Sequence, residues 1–203
     1  MKKPKLRELG EALKVLFIEG PYTCKFPKEP HVPTETFKGK PQFDEEKCIG
    51  CGACAKVCPA RAIEVIDDIE AKKRKLLLRY DICIFCGQCH AYCTTKEGIT
   101  LSNEYDLATL DRSGTVETVE KDLVMCEMCG SVVATLDHLR WISDRLGTLA
   151  YANPSLILAS LSGLSLVETG AVRDKEVAPA RSDLLRVLCP TCRRDIYLRE
   201  EWK

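Results

Sequence analysis

The sequence has few side-chain amides, no long apolar run and no excess of charge of one sign. Its asparagines and glutamines are Gln42, Gln88, Asn103 and Asn153, beside abundant Lys, Arg and Glu. That scarcity favours a thermophilic source. The 203 residues carry 30 basic and 30 acidic side chains, whereas nucleic-acid binders usually show a basic excess. The charge balance therefore argues against nucleic acid as a partner.

Membrane and export sequences are also lacking. No apolar stretch reaches the ~18 residues that would span a bilayer, and the longest lies between Pro154 and Leu166. The N-terminal stretch MKKPKLRELGEALKVLFIEG has acidic residues within its apolar part and no small-residue cleavage site, unlike a signal peptide. We expect a chain without a transmembrane segment of its own, in a compartment that keeps thiols reduced and favours metal ligation over disulfides.

Cysteine, in contrast, is abundant, with 13 residues. All but Cys24, expected to be an ordinary thiol, fall in four tight groups. Two runs share the spacing C-x2-C-x2-C-x3-C: CIGCGACAKVC from Cys48 and CIFCGQCHAYC from Cys83. The second also contains the c-type haem motif C-x-x-C-H, which ends at His90. The first has Ala55 at the equivalent position and so lacks the histidine that this motif needs. Only an iron–sulfur interpretation explains both runs.

A [4Fe–4S] cluster needs four thiolates, and in two-cluster ferredoxins the fourth cysteine of each run ligates the other cluster. We therefore predict two clusters with crossed ligands. The first would be bound by Cys48, Cys51, Cys54 and Cys93, and the second by Cys58, Cys83, Cys86 and Cys89. Structural zinc, or cysteines that merely pack in the core, are the alternatives. Pro59 follows the first run as the motif expects, whereas Thr94 follows the second, and His90 is expected to be exposed.

Short strands are predicted around these runs. RAIEVID (61–67) and RKLLLRYD (74–81) flank a charged turn, and GITLSNEYDLATL follows the second run as RAIEVID follows the first. This is the internally repeated pattern of a two-cluster ferredoxin.

Two further C-x2-C pairs lie near the C-terminus, at Cys126/Cys129 and Cys189/Cys192. Four thiolates from two such pairs suit one zinc or one iron ion, and CxxCG and CPxC resemble the knuckles of rubredoxins and zinc ribbons. The insert between them is predicted to be helical, from the spacing of Val132, Leu136, Leu139, Ile142 and Leu146 and from an N-cap at Asn153–Pro154. Loss of the metal is expected to unfold this part and spare both clusters.

The N-terminal segment combines a possible amphipathic helix, Leu6 to Ile18, with a proline-rich arm, GPYTCKFPKEPHVPTETFKGKPQF. Such an arm suits a subunit docked on another surface, either a partner subunit or a membrane.

The stretch from LKVLFIEGPYTCKFPKEPHVPTETFKGKPQF through CIGCGACAKVCPARAI resembles the two-[4Fe–4S] ferredoxin-like subunit of respiratory complex I. The additional C-terminal knuckles resemble those of the related subunit of membrane-bound [NiFe]-hydrogenases of the formate hydrogenlyase type. The resemblance implies an α+β chain with three parts. These are a helix and docking arm (1–43), a two-[4Fe–4S] ferredoxin-like domain (44–121) and a small four-cysteine domain with a helical insert (122–203).

The resemblance also implies an electron-transfer role without catalysis by the chain itself. The implied partners are the large and small [NiFe]-hydrogenase subunits, an iron–sulfur electron-input subunit and membrane subunits, and the implied location is the cytoplasmic face of the membrane. A complex I-type dehydrogenase, a freely diffusing ferredoxin and a zinc-stabilised scaffold with structural clusters are the alternatives. The arm and the extra C-terminal part argue against the diffusing ferredoxin.

Overall fold

The computed structural model describes residues 5–20, 23, 25–164, 172 and 180–199. The chain divides into two compact units, 1–37 and 38–203. Cys24, predicted to be an ordinary thiol, lies outside the described residues.

The first unit contains the predicted N-terminal helix. Helix α1 spans Leu6–Lys14, and a π-helical turn, Val15–Glu19, continues it. The Glu8 carboxylate accepts a hydrogen bond from the Lys5 backbone amide at 3.0 Å and so caps the first turn. None of the helix is buried, and Leu6 is 90% exposed. Among the residues of this unit that the structure describes, none buries the apolar side of the helix.

In the part of the second unit that the structure describes, there are six strands, five helices and 3₁₀ turns. The strands are β1 (Pro41–Phe43), β2 (Ile63–Asp68), β3 (Lys73–Arg79), β4 (Ile99–Leu101), β5 (Val116–Met125) and β6 (Val132–Thr135). The helices are α2 (Ala53–Val57), α3 (Gln88–Ala91), α4 (Leu136–Leu146), α5 (Pro154–Gly163) and α6 (Pro190–Arg199). The 3₁₀ turns are Arg112–Thr115, Gly147–Ala152 and Arg181–Leu185.

An internal repeat organises the first four strands. Each cysteine run follows one strand and ends in a short helix that leads to another strand, giving β1–α2–β2 and β3–α3–β4. The strands pair across the repeat: β1 with β4 and β2 with β3, both antiparallel. The chain thus has the predicted ferredoxin-like fold with its pseudo-twofold repeat. This arrangement brings the start of one cysteine run close to the end of the other.

Strand β3 lies at the centre of this region. Alternate residues of β3 face the core, so that Leu76 and Leu78 are almost completely buried. They pack against Ile63 and Ile99 in one apolar cluster that also includes cysteines of both runs. The predicted strands 61–67 and 74–81 are confirmed within two residues at each end.

The C-terminal part continues the same sheet, and its strand order is β2–β3–β5–β6. The ten-residue strand β5 pairs with β3 over Val116–Asp122 and with β6 over Leu123–Met125. A boundary between residues 121 and 122 therefore falls inside a strand, and residues 38–203 form one compact unit. The predicted four-cysteine part shares a sheet with the ferredoxin-like part.

Helices α4 and α5 pack on one face of this extension, around Leu139, Leu156 and Ala159. Val132, which the helical spacing placed in a helix, lies instead in β6, because β6 pairs with β5 before the chain turns into α4. The predicted cap is present: the Asn153 side-chain oxygen accepts a hydrogen bond from the Ser155 amide at 3.1 Å. Within the described residues, no helix is long and apolar enough to cross a bilayer.

Candidate metal centres

The fold brings eight cysteines together in two cavities, each with four thiols. The first cavity is lined by Cys48, Cys51, Cys54 and Cys93. The second is lined by Cys58, Cys83, Cys86 and Cys89. Each cavity therefore takes three thiols from one run and the fourth from the other, in the grouping that the sequence predicted.

Left-handed glycines shape both loops. Gly52 (φ 75°) and Gly87 (φ 76°) precede α2 and α3, and each turns the chain so that the next cysteine enters a helix. Gly98 approaches the first cavity closely, since an added Cβ would lie 3.0 Å from the Cys48 Cα. The loops thus bring backbone close to the thiols, where amides can donate to sulfur.

The donor sets fit [4Fe–4S] clusters. Four thiols, apolar walls and inward-facing amides are what such clusters need from a protein. The walls include Ile99 in the first cavity and Phe85 in the second. Burial raises the pKa of the Cys54 thiol to about 12 and that of Cys89 to about 11. These thiols are protonated at neutral pH until a metal binds, so cluster assembly must release protons.

Two threonine hydroxyls lie beside thiols of the first cavity. The residues at the equivalent positions near the second cavity have no hydroxyl. Thr94 Oγ1 lies 3.2 Å from Cys51 Sγ, and Thr95 Oγ1 lies 3.5 Å from Cys93 Sγ. The corresponding residues after Cys58 are Pro59 and Ala60, whose side chains carry no donor. The threonine that departs from the proline motif therefore adds a hydroxyl beside the first set of thiols.

His90 is not exposed, contrary to the sequence-based expectation. It is partly buried, and its Nδ1 lies 2.8 Å from the Ile99 carbonyl oxygen. A carbonyl accepts, so Nδ1 carries the proton in this contact. His90 thereby joins α3 to β4.

The third group of cysteines forms a compact four-thiol site. The sulfurs of Cys126, Cys129, Cys189 and Cys192 all lie within 4.8 Å of one another. Cys126 and Cys129 sit in the hairpin between β5 and β6, whereas Cys189 and Cys192 lie at the start of α6. This grouping suits a tetrahedral ion. The rubredoxin- or zinc-ribbon-like assignment of the surrounding fold stays a prediction.

The four thiols differ in acidity. The Ser131 hydroxyl, 3.0 Å from Cys129 Sγ, is the main cause that lowers the pKa of that thiol to about 6. Burial opposes ionisation of Cys189, but hydrogen bonds from the Cys192 amide, the Ser131 hydroxyl and the Cys192 thiol together outweigh it and lower the pKa. Burial raises the pKa of Cys126 and of Cys192. The site therefore offers two thiols that ionise readily, which is a favourable start for cation binding.

Sequence reasoning missed three side chains from distant strands, of which two reach the loop 48–54 and one reaches the residues just before it. Thr135 donates to the Ile49 carbonyl, Arg74 donates to the Gly50 carbonyl, and Lys121 donates to the Glu45 carbonyl. None belongs to a motif, and their separation from the loop ranges from 24 to 86 residues. Only the pairing of β3, β5 and β6 places them there.

Comparison with known proteins adds independent information. The family profile for a 4Fe-4S binding domain matches residues 41–64. The chain is 32% identical over 126 residues to NADH-quinone oxidoreductase subunit I 2 of Geobacter metallireducens, a match that covers 58% of this chain and 95% of that protein. The chain belongs to the NADH-quinone oxidoreductase subunit I family.

Other members of the subunit I family are longer. NAD(P)H-quinone oxidoreductase subunit I of Gloeobacter violaceus is 35% identical over 113 residues, which cover 51% of this chain and 53% of that protein. The chain thus matches about half the length of this relative. Among solved structures, a chain of the archaeal membrane-bound sulfane sulfur reductase, a respiratory membrane complex, is 34% identical with a TM-score of 0.39. That match covers 57% of this chain and 61% of the other.

Proposed function

We propose that this chain is an electron-transfer subunit of a membrane-associated oxidoreductase complex, and that it carries electrons through two [4Fe–4S] clusters. The observation that carries the proposal is the pair of four-thiol cavities, each completed by a cysteine of the opposite run. Membership of the subunit I family supports it. The proposed ligands are Cys48, Cys51, Cys54 and Cys93 for the first cluster and Cys58, Cys83, Cys86 and Cys89 for the second.

The residues of the chain would hold the clusters, exclude water and donate to sulfur. A bound [4Fe–4S] cluster supplies reversible one-electron chemistry at a potential that the protein sets. Leu76 and Ile99, both almost completely buried, separate the first cavity from solvent. The Ala62 amide donates to Cys58 Sγ at 3.2 Å, and the Phe85 amide donates to Cys83 Sγ at 3.5 Å. Such amides stabilise the added negative charge of a reduced cluster.

The finer proposal is a subunit of a membrane-bound [NiFe]-hydrogenase of the formate hydrogenlyase type. Its support is the four-cysteine site at Cys126, Cys129, Cys189 and Cys192, proposed to hold one zinc or iron ion. The Geobacter relative is matched over 95% of its length by 58% of this chain, so a large part of this chain lies beyond that match. The alternative is the equivalent subunit of a complex I-type dehydrogenase, which the family membership favours. We expect no catalysis by the isolated chain.

Within the complex, the chain would lie peripherally, on the cytoplasmic face of the membrane. The exposed apolar side of α1, which includes Leu9 and Leu13, suits contact with a partner subunit or the membrane surface. The proposed partners are the hydrogenase large and small subunits, an iron–sulfur input subunit and membrane subunits.

The first experiment counts clusters in the anaerobically purified chain. Two [4Fe–4S] clusters require about eight iron and eight sulfide per chain. A content near four of each would contradict the crossed assignment. Clusters that cannot be reduced and reoxidised reversibly would favour the scaffold alternative over electron transfer.

The second experiment identifies the complex. The chain is tagged at its C-terminus in its source organism and purified with its partners, which are then identified by mass spectrometry. Nickel and hydrogen-dependent dye reduction in the purified complex would support the hydrogenase assignment. A nickel-free complex that reduces quinone would support the complex I-type alternative.

A further inference from the structure

The backbone of the first cysteine loop, defined here as residues 48–54, accepts hydrogen bonds from side chains of β3 and β6. Thr135, at the end of β6 and completely buried, donates from Oγ1 to the Ile49 carbonyl oxygen at 2.5 Å. Arg74, on β3, donates from Nη1 to the Gly50 carbonyl oxygen at 3.2 Å. Two successive carbonyls of this loop therefore have side-chain partners.

The first of these carbonyls belongs to a peptide whose amide faces a thiol. A trans peptide points its N–H and C=O in opposite directions. The Ile49 carbonyl and the Gly50 amide share one peptide, and that amide donates to Cys48, where it opposes the rise in pKa that burial causes. Thr135 thus binds the outer side of a peptide whose inner side faces Cys48. Hydrogen bonds in such a chain polarise one another, so the outer bond strengthens the inner one.

Arg74 donates to the carbonyl of the next peptide, which joins Gly50 to Cys51. Its guanidinium is held by a bidentate ion pair with Asp67, at 2.6 Å from Nε to Oδ1 and 2.8 Å from Nη2 to Oδ2. The remaining nitrogen, Nη1, is directed at the Gly50 carbonyl. The geometry of this donor is therefore fixed before any cluster binds.

The two basic side chains near the loop are both in ion pairs. Asp67 pairs with Arg74, and Asp137 pairs with Lys121 at 3.0 Å. Pairing weakens their long-range fields, and the Lys121 charge still opposes the rise in the pKa of Cys48 that burial causes.

The second cysteine loop, defined here as residues 83–89, provides an internal comparison. The Phe85 amide donates to Cys83 Sγ as the Gly50 amide does to Cys48. Ile84, however, is 62% exposed, whereas the corresponding Ile49 is 8% exposed. Over the described ranges of the chain, no side chain donates to the carbonyl of Ile84 or Phe85. The two loops share their inward-facing amides but differ in what binds their outer sides.

We propose that Thr135 and Arg74 are positioning residues that raise the reduction potential of the cluster held by Cys48, Cys51, Cys54 and Cys93. The inference rests on the proposed function, because it needs that cluster. Reduction adds one electron to the cluster, and no bond to the protein forms or breaks. The polarised amides of the loop stabilise the added negative charge, which makes that cluster easier to reduce than the loop alone would allow.

The experiment is a redox titration of the anaerobic full-length chain, followed by electron paramagnetic resonance. The two signals are assigned with Cys51→Ser and Cys86→Ser, each of which alters one site. Thr135→Val removes the hydroxyl and keeps the shape of the side chain. We expect the ratio of reduced to oxidised first cluster, at a fixed potential, to fall about threefold, within the usual range for one hydrogen bond. That fall corresponds to about 28 mV for one electron.

Matched variants separate a positioning role from a structural one. Thr135→Ser restores the hydroxyl and should return the first signal to its original potential. Arg74→Gln should lower the reduction potential of the first cluster. Arg79 is on the same strand, but its guanidinium donates a hydrogen bond to Asp81. Arg79→Gln should therefore leave the potential of the first cluster unchanged. The second cluster should keep its potential in the Thr135 and Arg74 variants.

The outcomes distinguish this inference from the proposed function. Two reversible clusters whose potentials do not move in Thr135→Val and Arg74→Gln would overturn the inference and leave the electron-transfer proposal intact. Equal shifts of both clusters would also overturn it, because the contacts are made to one loop only. If Thr135→Val lowers the iron content, Arg74→Gln and Thr135→Ser decide the question. An unaltered chain without two reducible clusters would overturn the proposed function itself.

Discussion

The two cysteine loops have nearly the same backbone but different neighbours. Gly50 and Phe85 occupy equivalent positions with φ of 64° and 52°, and Gly52 and Gly87 match within 1°. The first loop is covered by β5 and β6, so an added Cβ on Gly50 would lie 2.9 Å from the Thr135 methyl carbon. At the second loop the same position holds a phenylalanine. Spacing thus determines the ligand geometry, and the surrounding sheet determines how tightly each loop is enclosed.

The test with the largest expected effect replaces, one at a time, the cysteine that each cavity takes from the opposite run. Cys58→Ser should damage the cluster of Cys83, Cys86 and Cys89, because Cys58 lines that cavity and not the one beside its own run. Cys93→Ser should damage the other cluster. Iron and sulfide analysis with electron paramagnetic resonance of each variant checks this. Damage confined to the cluster of the mutated residue's own run would mean that each run binds a separate cluster.

The next test removes the C-terminal metal. Cys189→Ser should abolish binding of the third metal and loosen α4 to α6, since a structural four-thiolate ion contributes about 10 kcal/mol to folding in small zinc sites. Because β6 carries Thr135, the first cluster should also become easier to lose, whereas the second should not. Metal analysis, limited proteolysis and the rate of cluster loss measure these effects. This differs from the expectation from sequence that both clusters would be spared.

Cys24→Ser is the control, since Cys24 belongs to none of the four groups. A Cys189→Ser chain that keeps its third metal and resists protease would contradict the shared four-thiol site. Equal loss of both clusters would contradict the difference between the two loops.

A smaller effect is expected from crowding the first loop. Gly50→Ala combines a left-handed backbone, which costs a non-glycine residue about 1–3 kcal/mol, with contacts to Thr135 and Lys121. Gly147→Ala shares the positive φ (55°), but no atom lies within 4 Å of the added carbon. The denaturant concentration that halves the visible absorbance should therefore fall further in Gly50→Ala. Equal falls would mean that the loop yields freely to its neighbours.

The smallest expected effect concerns Asp67, whose carboxylate holds the Arg74 guanidinium in place. The guanidinium lowers the pKa of Asp67, so the pair contributes stability above the ordinary aspartate value of 3.8 and loses it as pH falls through the lowered value. Asp67→Asn should cost about 1 kcal/mol or less, equally at pH 6 and pH 8. Chemical denaturation at both values measures this. Asp81→Asn, which removes the exposed partner of Arg79, should change nothing measurable, and a larger effect there would reverse the comparison.

The repeated spacing of the cysteines was enough to predict the ferredoxin-like repeat and the grouping of thiols in the two cavities. The strands 61–67 and 74–81 were also predictable, because alternating apolar residues on either side of a charged turn specify a hairpin. The strand at Val132 was not, since VVATLDHL also fits a helical spacing and only pairing with β5 decides between the two. Thr135 and Arg74 carry no local pattern, so their contacts with the first loop could be found only in the folded chain.

The ten residues of β5 have a practical consequence for engineering. A shortened carrier made by ending the chain after residue 121 would keep most of the pairing with β3. It would lose the hydrogen bond from the Leu123 amide to the Lys72 carbonyl, 2.7 Å long, which joins β5 to the turn between β2 and β3. It would also expose Ile49 and Gly50 to water. The C-terminal part therefore cannot be removed without disturbing the first cysteine loop. A shortened version of this electron carrier should keep β6 along with β5.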